Sequence, residues 1–352
     1  MRTFDCTLHP LRVRFGRGMD GAVAEEAGRM GLSRLLVLST PGQEGDARDL
    51  AASLGGKAAG VFAGAAMHTP VAVTEAAMAE AEGLNADGLV SIGGGSTTGL
   101  GKAMALRSGL PQIAVPTSYA GSEATPILGQ TDGGRKTTLR DPRVLPDAIV
   151  YDVDRTMGLP AGMTTTSGLN AVAHAVAALQ ARDRSPISDM FAAAGLRAMI
   201  PALRALRDEP QDAEARSHAL YGAWMCGTVL GQVTMSLHHK LAHVLGGSFD
   251  LPHAETHAIL LPHSAAFNAP AVGDALAPLG EVLGGAPGPG LAALLSDLGA
   301  PAALRDVGMP EDGIDRAADQ AMEQAYWNPR DLERGAIRDL IARAWEGAPH
   351  TA

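Results

Sequence analysis

Short apolar runs alternate with Ala-rich stretches between residues 13 and 130, and this alternation restricts the fold more than any other feature of the chain. Residues 34–39, 88–92 and 112–115 are predicted strands, and a helix is predicted from Thr98 to about Leu106. Strands that alternate with helices build a parallel sheet flanked by helices. The sequence therefore predicts an α/β domain here.

The predicted strand at 88–92 runs directly into Gly93-Gly94-Gly95-Ser96. Such a strand–helix junction exposes backbone N–H groups with no side chains in the way, which suits a pyrophosphate. The run matches neither the G-x-G-x-x-G fingerprint nor a Walker loop, and a plain tight turn is the alternative. Thr117, Ser118 and Ser122 follow the next strand and favour a ligand site, because open α/β sheets bind ligands at the carboxyl ends of their strands.

The turn Thr40-Pro41-Gly42 follows the strand at 34–39 and bears on the choice of cofactor. Dinucleotide sites that select NAD usually place a carboxylate after this strand, where it repels a 2′-phosphate. Here no acid occurs before Glu44. We therefore predict that NADPH is accepted alongside NADH.

Beyond Asp152 the apolar residues repeat with a period near 3.6, which predicts an all-helical second domain. The predicted domains are residues 1–152 and 153–352, and residues 131–150 are expected to form a hairpin or loop with a short strand that leads out of the first domain. The predicted breaks between helices are Pro186, Pro201, Pro210, Pro252, Pro262 and the Gly/Pro-rich stretch 284–290.

The second domain contains a histidine-dense segment, residues 235–263, which holds six of the chain's eleven histidines. His239 and His243 are spaced i,i+4, so both imidazoles leave the same face of one predicted helix. We expect Gly246 and Gly247 to end that helix.

His253 and His257 repeat the i,i+4 spacing at the start of the next predicted helix. Asn170 and His174 share a face of an earlier one, where a lone histidine in an Ala-rich helix would more often be a core residue. Together these residues predict a pocket with several imidazoles, which could be metal ligands, proton carriers or binders of an anionic substrate.

Composition excludes several classes of function. A net charge of −10 without a concentrated basic face argues against nucleic-acid binding, and no apolar run is long enough to cross a bilayer. Two cysteines, Cys6 and Cys226, cannot form a disulfide framework. The segment after Met1 is polar and lacks a hydrophobic signal core, so we expect a cytoplasmic protein.

The glycine turn, the segment 116–123, the Asn170/His174 helix and the histidine array together resemble the iron-containing alcohol dehydrogenase superfamily over essentially the whole chain. The resemblance implies a dehydroquinate synthase-like architecture with an α/β dinucleotide-binding domain and an all-α catalytic domain. The family's metal ligands, an aspartate and three histidines, carry over to Asn170, His174, His239 and His253. The only anionic ligand is thus replaced by an amide, a weaker oxygen donor.

Within the superfamily, the chain is similar to the maleylacetate reductases. The points of likeness are residues 119–123, 136–138, 140–142, 168–170, 238–240 and 252–257. The resemblance implies NADH- or NADPH-dependent reduction of the carbon–carbon double bond of maleylacetate, a dicarboxylate, to 3-oxoadipate in aromatic compound degradation. It also implies a homodimer and no metal. Gly99, where the family often has an aspartate, is a further departure, whereas Lys102 is kept.

Site roles follow from the resemblance. His243 is the expected proton donor, because its counterpart in the family lies near the nicotinamide. Lys240, His253 and His257 are expected at the substrate's carboxylates or enolate, although Lys240 could equally be a solvated surface lysine. His239 and His174 would keep the pocket polar and positively biased in the place where a metal would otherwise be. The expected cofactor-binding residues are Thr40, Gly42, Gly94, Gly95, Ser96, Thr117, Ser118, Ser122 and Lys136.

Two other functions stay open from the sequence. One is a metal-dependent alcohol or polyol dehydrogenase of the same superfamily, which requires Asn170 to be a tolerated ligand change. The other is a non-catalytic dinucleotide sensor, against which the retained His243 and His253 argue.

Overall fold

The computed structural model describes residues 4–133, 135–323 and 326–348, with the side chains of residues 135 and 136 left out. Two compact units are present: residues 8–159 form an α/β unit, and residues 160–348 with residues 4–7 form a helical unit. The sequence placed the boundary after residue 152, where the last strand ends; a 3₁₀ turn and Leu159 still belong to the α/β unit.

The α/β unit is built on a six-stranded parallel sheet of order β1-β8-β5-β4-β2-β3 and a separate hairpin, β6–β7. The strands are β1 Arg12–Gly16, β2 Leu35–Leu38, β3 Ala58–Phe62, β4 Gly88–Gly93, β5 Gln112–Pro116, β6 Ile127–Asp132, β7 Arg135–Arg140 and β8 Ala148–Asp152. The helices are α1 Ala22–Arg29, α2 Glu44–Leu54, α3 Val71–Gly83 and α4 Gly95–Ser108.

Both faces of the sheet are covered, which explains why its central strands are continuously apolar. On β2, Leu35 and Val37 belong to one buried cluster and Leu36 and Leu38 to another, and all four are fully buried. The predicted α/β domain is therefore confirmed. The helix after the glycine turn begins three residues earlier than predicted, at Gly95, so the turn itself supplies the first helical residues.

The helical unit consists of helices and 3₁₀ turns in the part of the chain that the structure describes. Its helices are α5 Ala161–Gln180, α6 Pro186–Asp208, α7 Ala213–Leu230, α8 Leu237–Phe249, α9 His253–Val272, α10 Ala277–Leu283, α11 Pro287–Asp297, α12 Gly313–Met322 and α13 Arg334–Glu346. Across the described ranges, no helix combines the length and the apolar character that crossing a membrane requires.

Two expectations about helix ends were wrong. Gly246 and Gly247 lie inside α8, which continues to Phe249 and ends at the left-handed residue Asp250. Each glycine costs a helix about 1 kcal/mol, but Leu241 and Leu245 are fully buried in the core of this unit and their packing outweighs that cost.

Pro201 and Pro262 were predicted to break helices, but Pro201 lies inside α6 and Pro262 lies inside α9. An internal proline removes a backbone hydrogen bond and costs about 3 kcal/mol. For Pro262 the reason is burial, because α9 is almost continuously buried from Thr256 to Asn268. Pro186 and Pro252 do mark helix starts, as predicted.

Candidate functional site

Three helices of the helical unit bring six histidines into one cluster. They are His174 on α5, His238, His239 and His243 on α8, and His253 and His257 on α9. The closest ring centroids are those of His253 and His257, at 4.4 Å, followed by His238 and His257 at 4.9 Å and His239 and His257 at 5.2 Å; those of His174 and His239 lie 5.4 Å apart. His243 lies 6.5 Å from both His239 and His253. The structure thus places close together the imidazoles that the i,i+4 spacings predicted on shared helix faces.

His238 connects this cluster to the interior of the unit. Its Nδ1 is 2.8 Å from Ser264 Oγ, and the Ser264 hydroxyl donates to the carbonyl oxygen of Leu260 at 2.9 Å. Because the hydroxyl has only one hydrogen, His238 Nδ1 must donate, and His238 Nε2 must accept from His257 Nδ1 at 2.9 Å. His257 Nε2 is therefore left as a hydrogen-bond acceptor. Sequence reasoning assigned no role to His238 or Ser264.

Three buried polar atoms in the cluster have no hydrogen-bond partner among the described residues. They are Asn170 Oδ1, His239 Nδ1 and His257 Nε2. A buried polar group without a partner costs about 1–3 kcal/mol, so proteins rarely keep several together without a use for them. Asn170 lies on the same helix as His174, and His174 Nδ1 is 3.2 Å from His239 Nε2. The unpartnered atoms therefore belong to one group of residues, which indicates a site that receives a polar ligand.

Burial keeps three of the six histidines in the cluster neutral, namely His238, His239 and His257. Burial lowers the pKa of His238 to about 3 and lowers the pKa values of His239 and His257 well below their usual range, and neighbouring histidines lower them further. No carboxylate among the described residues counteracts these shifts. The positive bias expected at His239 was therefore wrong, because burial disfavours its charged form; these three imidazoles can meet an anion as hydrogen-bond partners but not as counter-charges.

The second candidate site lies in the α/β unit, at the N-terminus of α4. Gly93 has φ of 151°, which favours glycine, and a side chain at that position would lie 2.5 Å from Thr97 Oγ1. The first helical hydrogen bond runs from the Thr98 amide to the Gly94 carbonyl, and no side chain caps the helix. The N–H groups of the first turn are therefore available to a phosphate.

Hydroxyl groups surround this helix terminus. Thr97 Oγ1 and Ser122 Oγ are buried without a hydrogen-bond partner among the described residues, and Ser122 Oγ faces the Cα of Gly95. Ser118 Oγ faces Gly94 in the same way. Orphaned hydroxyls beside uncapped backbone N–H groups fit the phosphates of a dinucleotide.

Gln43 is a residue that the sequence reasoning missed. Its side-chain amide donates to Thr117 Oγ1 at 2.9 Å and its carbonyl oxygen faces Gly93, so it links the end of β2 to the end of β5. Thr40 and Gly42 lie in the turn just before it, and the first acid, Glu44, pairs with Arg48. Lys136 is on β7, but its side chain lies outside the described residues.

The contact between Gly99 and Thr69 explains why residue 99 has no side chain. A side chain there would lie 2.3 Å from the hydroxyl of Thr69, a buried residue with φ of 47°. A β-branched residue in this left-handed conformation is strained. The Thr69 hydroxyl therefore occupies the space that an aspartate at position 99 would need.

Comparison with known proteins identifies the family. The family profile "Iron-containing alcohol dehydrogenase" matches residues 10–153, and "Fe-containing alcohol dehydrogenase family, C-terminal" matches residues 164–345. The chain belongs to the iron-containing alcohol dehydrogenase family.

Within this family the chain is similar to proteins named maleylacetate reductase. The one from Rhizobium sp. strain MTP-10005 is 59% identical over 99% of both chains, and the one from Burkholderia cepacia is 52% identical over 96% of both. The crystal structure of maleylacetate reductase from Agrobacterium tumefaciens matches 99% of this chain and all of its own with a TM-score of 0.96 at 56% identity.

The family name implies iron, and the donor set of this chain fits such an ion poorly. Among the described residues, no three His, Cys, Asp or Glu side chains are arranged to hold a metal. His174 Nδ1 and His239 Nε2 form a hydrogen bond with each other, and Asn170 carries no charge. A divalent ion would therefore meet neutral donors without the carboxylate that offsets its charge.

The contacts of Lys240 differ from the substrate contact expected for it. Its ammonium donates to the backbone carbonyl of Glu323 at 3.0 Å and lies over the ring of Tyr326, 5.7 Å from the centroid. To reach a substrate carboxylate, the Lys240 side chain would have to give up this hydrogen bond.

Proposed function

We propose that this protein reduces the carbon–carbon double bond of maleylacetate to give 3-oxoadipate, with NADH or NADPH as the reductant. The observation that carries the proposal is the identity of 59% over 99% of both chains with a maleylacetate reductase. The histidine cluster supports it independently, because it offers several imidazole hydrogen-bond partners and no carboxylate contributes to the pKa shifts of its buried histidines, so no nearby negative charge is seen to oppose a substrate with two negative charges.

The substrate is an enone with a carboxylate at each end, so the site has three tasks. It must bind a dianion, stabilise negative charge that develops on the ketone oxygen, and deliver one proton to carbon. When bound, the nicotinamide cofactor supplies the hydride that adds to the alkene carbon remote from the ketone. The π electrons of the double bond then move toward the ketone, and the proton is added at the carbon next to it.

His243 is the proposed donor of that proton. It is half-buried, whereas His239 and His257 are fully buried and hold low pKa values. His253 lies 6.5 Å from His243 and forms the proposed contact with a carboxylate or the enolate oxygen. Asn170 and His239 each present an unpartnered polar atom, and we assign them to orienting the substrate.

The nicotinamide dinucleotide would be held by the uncapped first turn of α4. We assign its pyrophosphate to the backbone of Gly94, Gly95 and Ser96, with Ser122 as a side-chain partner. The Thr40–Gly42 turn would meet the adenosine ribose. Because this turn contains no carboxylate, we propose that both NADH and NADPH are accepted.

We also propose that the protein needs no resident metal, since the donor set lacks a charged ligand. The protein is proposed to act as a homodimer, as its resemblance to the maleylacetate reductases implies, and a cytoplasmic location stays a prediction from the sequence.

The test follows NADH absorbance with maleylacetate as substrate in buffer that contains a chelator, with the product identified by mass spectrometry. We expect NADH oxidation that depends on maleylacetate, with one 3-oxoadipate formed per NADH. Aldehydes and polyols with NADH or NAD⁺ are the matched comparison. If these turn over and maleylacetate does not, or if activity requires added Fe²⁺ or Zn²⁺, a metal-dependent alcohol dehydrogenase becomes the better assignment.

A further inference from the structure

Lys102 is a buried cation that the proposed chemistry does not use. It lies on α4, two turns after the glycine junction, and its side chain is 1% exposed. Its Nζ is 2.6 Å from the carbonyl oxygen of Ser122, 2.6 Å from that of Thr125 and 3.0 Å from that of Ile127. A fourth contact, of 3.1 Å, reaches Thr125 Oγ1.

These contacts define the charge state of Lys102. Burial lowers its pKa to about 7, and the charge of Glu123 opposes this shift. Three carbonyl oxygens can be satisfied together only by an ammonium group, which has three N–H donors, whereas a neutral amine has two. The geometry therefore requires the charged form, which strengthens each of the three hydrogen bonds.

The carbonyls that Lys102 binds belong to one turn. Ser122 begins it directly after Gly121, whose φ of 72° reverses the chain, and Ile127 is the first residue of β6. Thr125 Oγ1 donates to the Ser122 carbonyl at 2.9 Å, so this one oxygen also receives a bond from within the turn. We name residues 121–127 the Ser122 turn.

A second anchor holds the opposite side of the same turn. Glu123 is 2% exposed, and the hydroxyl of Tyr151 on β8 donates to its Oε1 at 2.8 Å. The Ser122 turn is thus fixed to α4 through Lys102 and to the sheet through Tyr151. Between these anchors, the Ser122 hydroxyl is buried without a partner among the described residues and faces the first residue of α4.

We propose that Lys102 is a positioning residue for the dinucleotide site: by binding the carbonyls of the Ser122 turn, it holds the Ser122 hydroxyl against the uncapped N-terminus of α4, where that hydroxyl contacts a phosphate of NADH. The proposal rests on the proposed function only in taking NADH as the ligand. Lys102 itself does not touch the cofactor; it acts through the turn.

The test is a double-mutant cycle on the dissociation constant of NADH, measured by fluorescence titration with no substrate present. Ser122→Ala removes one hydrogen bond to the cofactor and should weaken binding about 3- to 10-fold. Lys102→Met should weaken it at least as much. The double variant should bind no more weakly than Lys102→Met alone, because the hydroxyl is already displaced.

Two further variants separate positioning from general stability. Thr125→Val keeps the shape of the turn and the backbone carbonyl that Lys102 binds, but it loses the contacts of the hydroxyl with Lys102 Nζ and with the Ser122 carbonyl, and it should raise the dissociation constant of NADH about 3-fold or more. Lys57→Met is the matched control, since Lys57 also donates to a backbone carbonyl, that of Leu32 at 3.0 Å, and should leave NADH binding unchanged. For Lys102→Met and Thr125→Val, the KM for NADH should rise while kcat at saturating NADH stays within about twofold.

An effect of the double variant equal to the product of the single effects would overturn the proposal, as would unchanged NADH binding in Thr125→Val. If Lys102→Met does not fold, Thr125→Val and its combination with Ser122→Ala decide the question. A protein that binds NADH but does not reduce maleylacetate would defeat the proposed function and leave this inference intact.

Discussion

His238 Nε2 accepts a hydrogen bond from His257 Nδ1 over 2.9 Å and so joins the histidine cluster to Ser264 in the core. The consequence is that His257 has one fixed tautomer, with its Nε2 as an acceptor that has no partner among the described residues. The cluster is thus an ordered network in which at least one imidazole cannot change its hydrogen-bonding role without disturbing the interior.

Replacing His238 by Leu should destabilise the protein. The change leaves His257 Nδ1–H buried without its acceptor, which should lower the free energy of unfolding by about 1–3 kcal/mol. Denaturant titration followed by circular dichroism measures the difference. His218→Leu is the control, because His218 is exposed and its variant should unfold at the same denaturant concentration as the parent. Equal midpoints for His238→Leu and the parent would contradict the network.

Replacing His243 by Ala should remove proton delivery. We expect kcat to fall by roughly two to four orders of magnitude, while the dissociation constant of NADH stays nearly unchanged. Steady-state kinetics with maleylacetate and a separate NADH titration provide the two measurements. If kcat falls only a few-fold, His243 is not the donor, and His253 becomes the next residue to replace.

Stability should fall as the pH drops below about 6.5, the ordinary pKa of histidine. The folded protein holds His238 neutral down to a pKa of about 3, and His239 and His257 are neutral as well. At a pH below 6.5 these histidines bind protons in the unfolded chain but not in the folded chain. Each of them therefore lowers the free energy of unfolding by up to about 1.4 kcal/mol for each unit by which the pH falls.

This pH dependence can be measured by denaturant unfolding between about pH 7.5 and pH 5.5, a range above the titration of ordinary carboxylates. His238→Leu should give a smaller slope than the parent, since one of the neutral histidines is absent. A free energy of unfolding that is constant or increases toward the lower pH would show that the cluster accepts protons in the folded state.

A carboxylate at position 40 should make the protein selective for NADH. In the parent we expect NADH and NADPH to support comparable turnover, because the turn contains no carboxylate that would repel a 2′-phosphate. Thr40→Asp should raise the KM for NADPH about tenfold or more through charge repulsion and change the KM for NADH much less. A parent enzyme that prefers NADH several hundredfold would refute the assignment of this turn.

The features that could be predicted from the sequence are those with local causes. The i,i+4 pairs His239/His243 and His253/His257 follow from helix geometry alone, and the alternation of apolar runs gave the parallel sheet. The ends of α8 could not be predicted, because Gly246 and Gly247 favour a break and only the packing of Leu241 and Leu245 overrides them.

The contacts that organise both sites join residues distant in the sequence. Ser264 reaches His238 only because α8 and α9 pack together, and Lys102 reaches the Ser122 turn only through the fold of the α/β unit. A buried lysine and a half-buried glutamine leave no periodic signal in a sequence. The hint available was chemical, because Gln43 directly follows the Thr40–Gly42 turn and Lys102 lies on the helix that begins at the glycine turn.

We expect the amide at position 170 to determine how tightly the site binds metal ions. We expect the parent protein to keep its activity within about twofold after chelator treatment and gel filtration, because the donor set lacks the one charged ligand of the family pattern. Asn170→Asp restores the one charged ligand that the family pattern contains, so its dissociation constant for Zn²⁺, measured by calorimetry, should be about tenfold lower or more. Asn268→Asp, which adds the same charge on α9 at a residue bonded to Gln180, is the matched control and should not change Zn²⁺ affinity. A parent protein that already retains a stoichiometric metal through gel filtration would show that three imidazoles and an amide suffice to bind the ion. The assignment of the histidine cluster to a dianionic substrate without a metal would then be wrong.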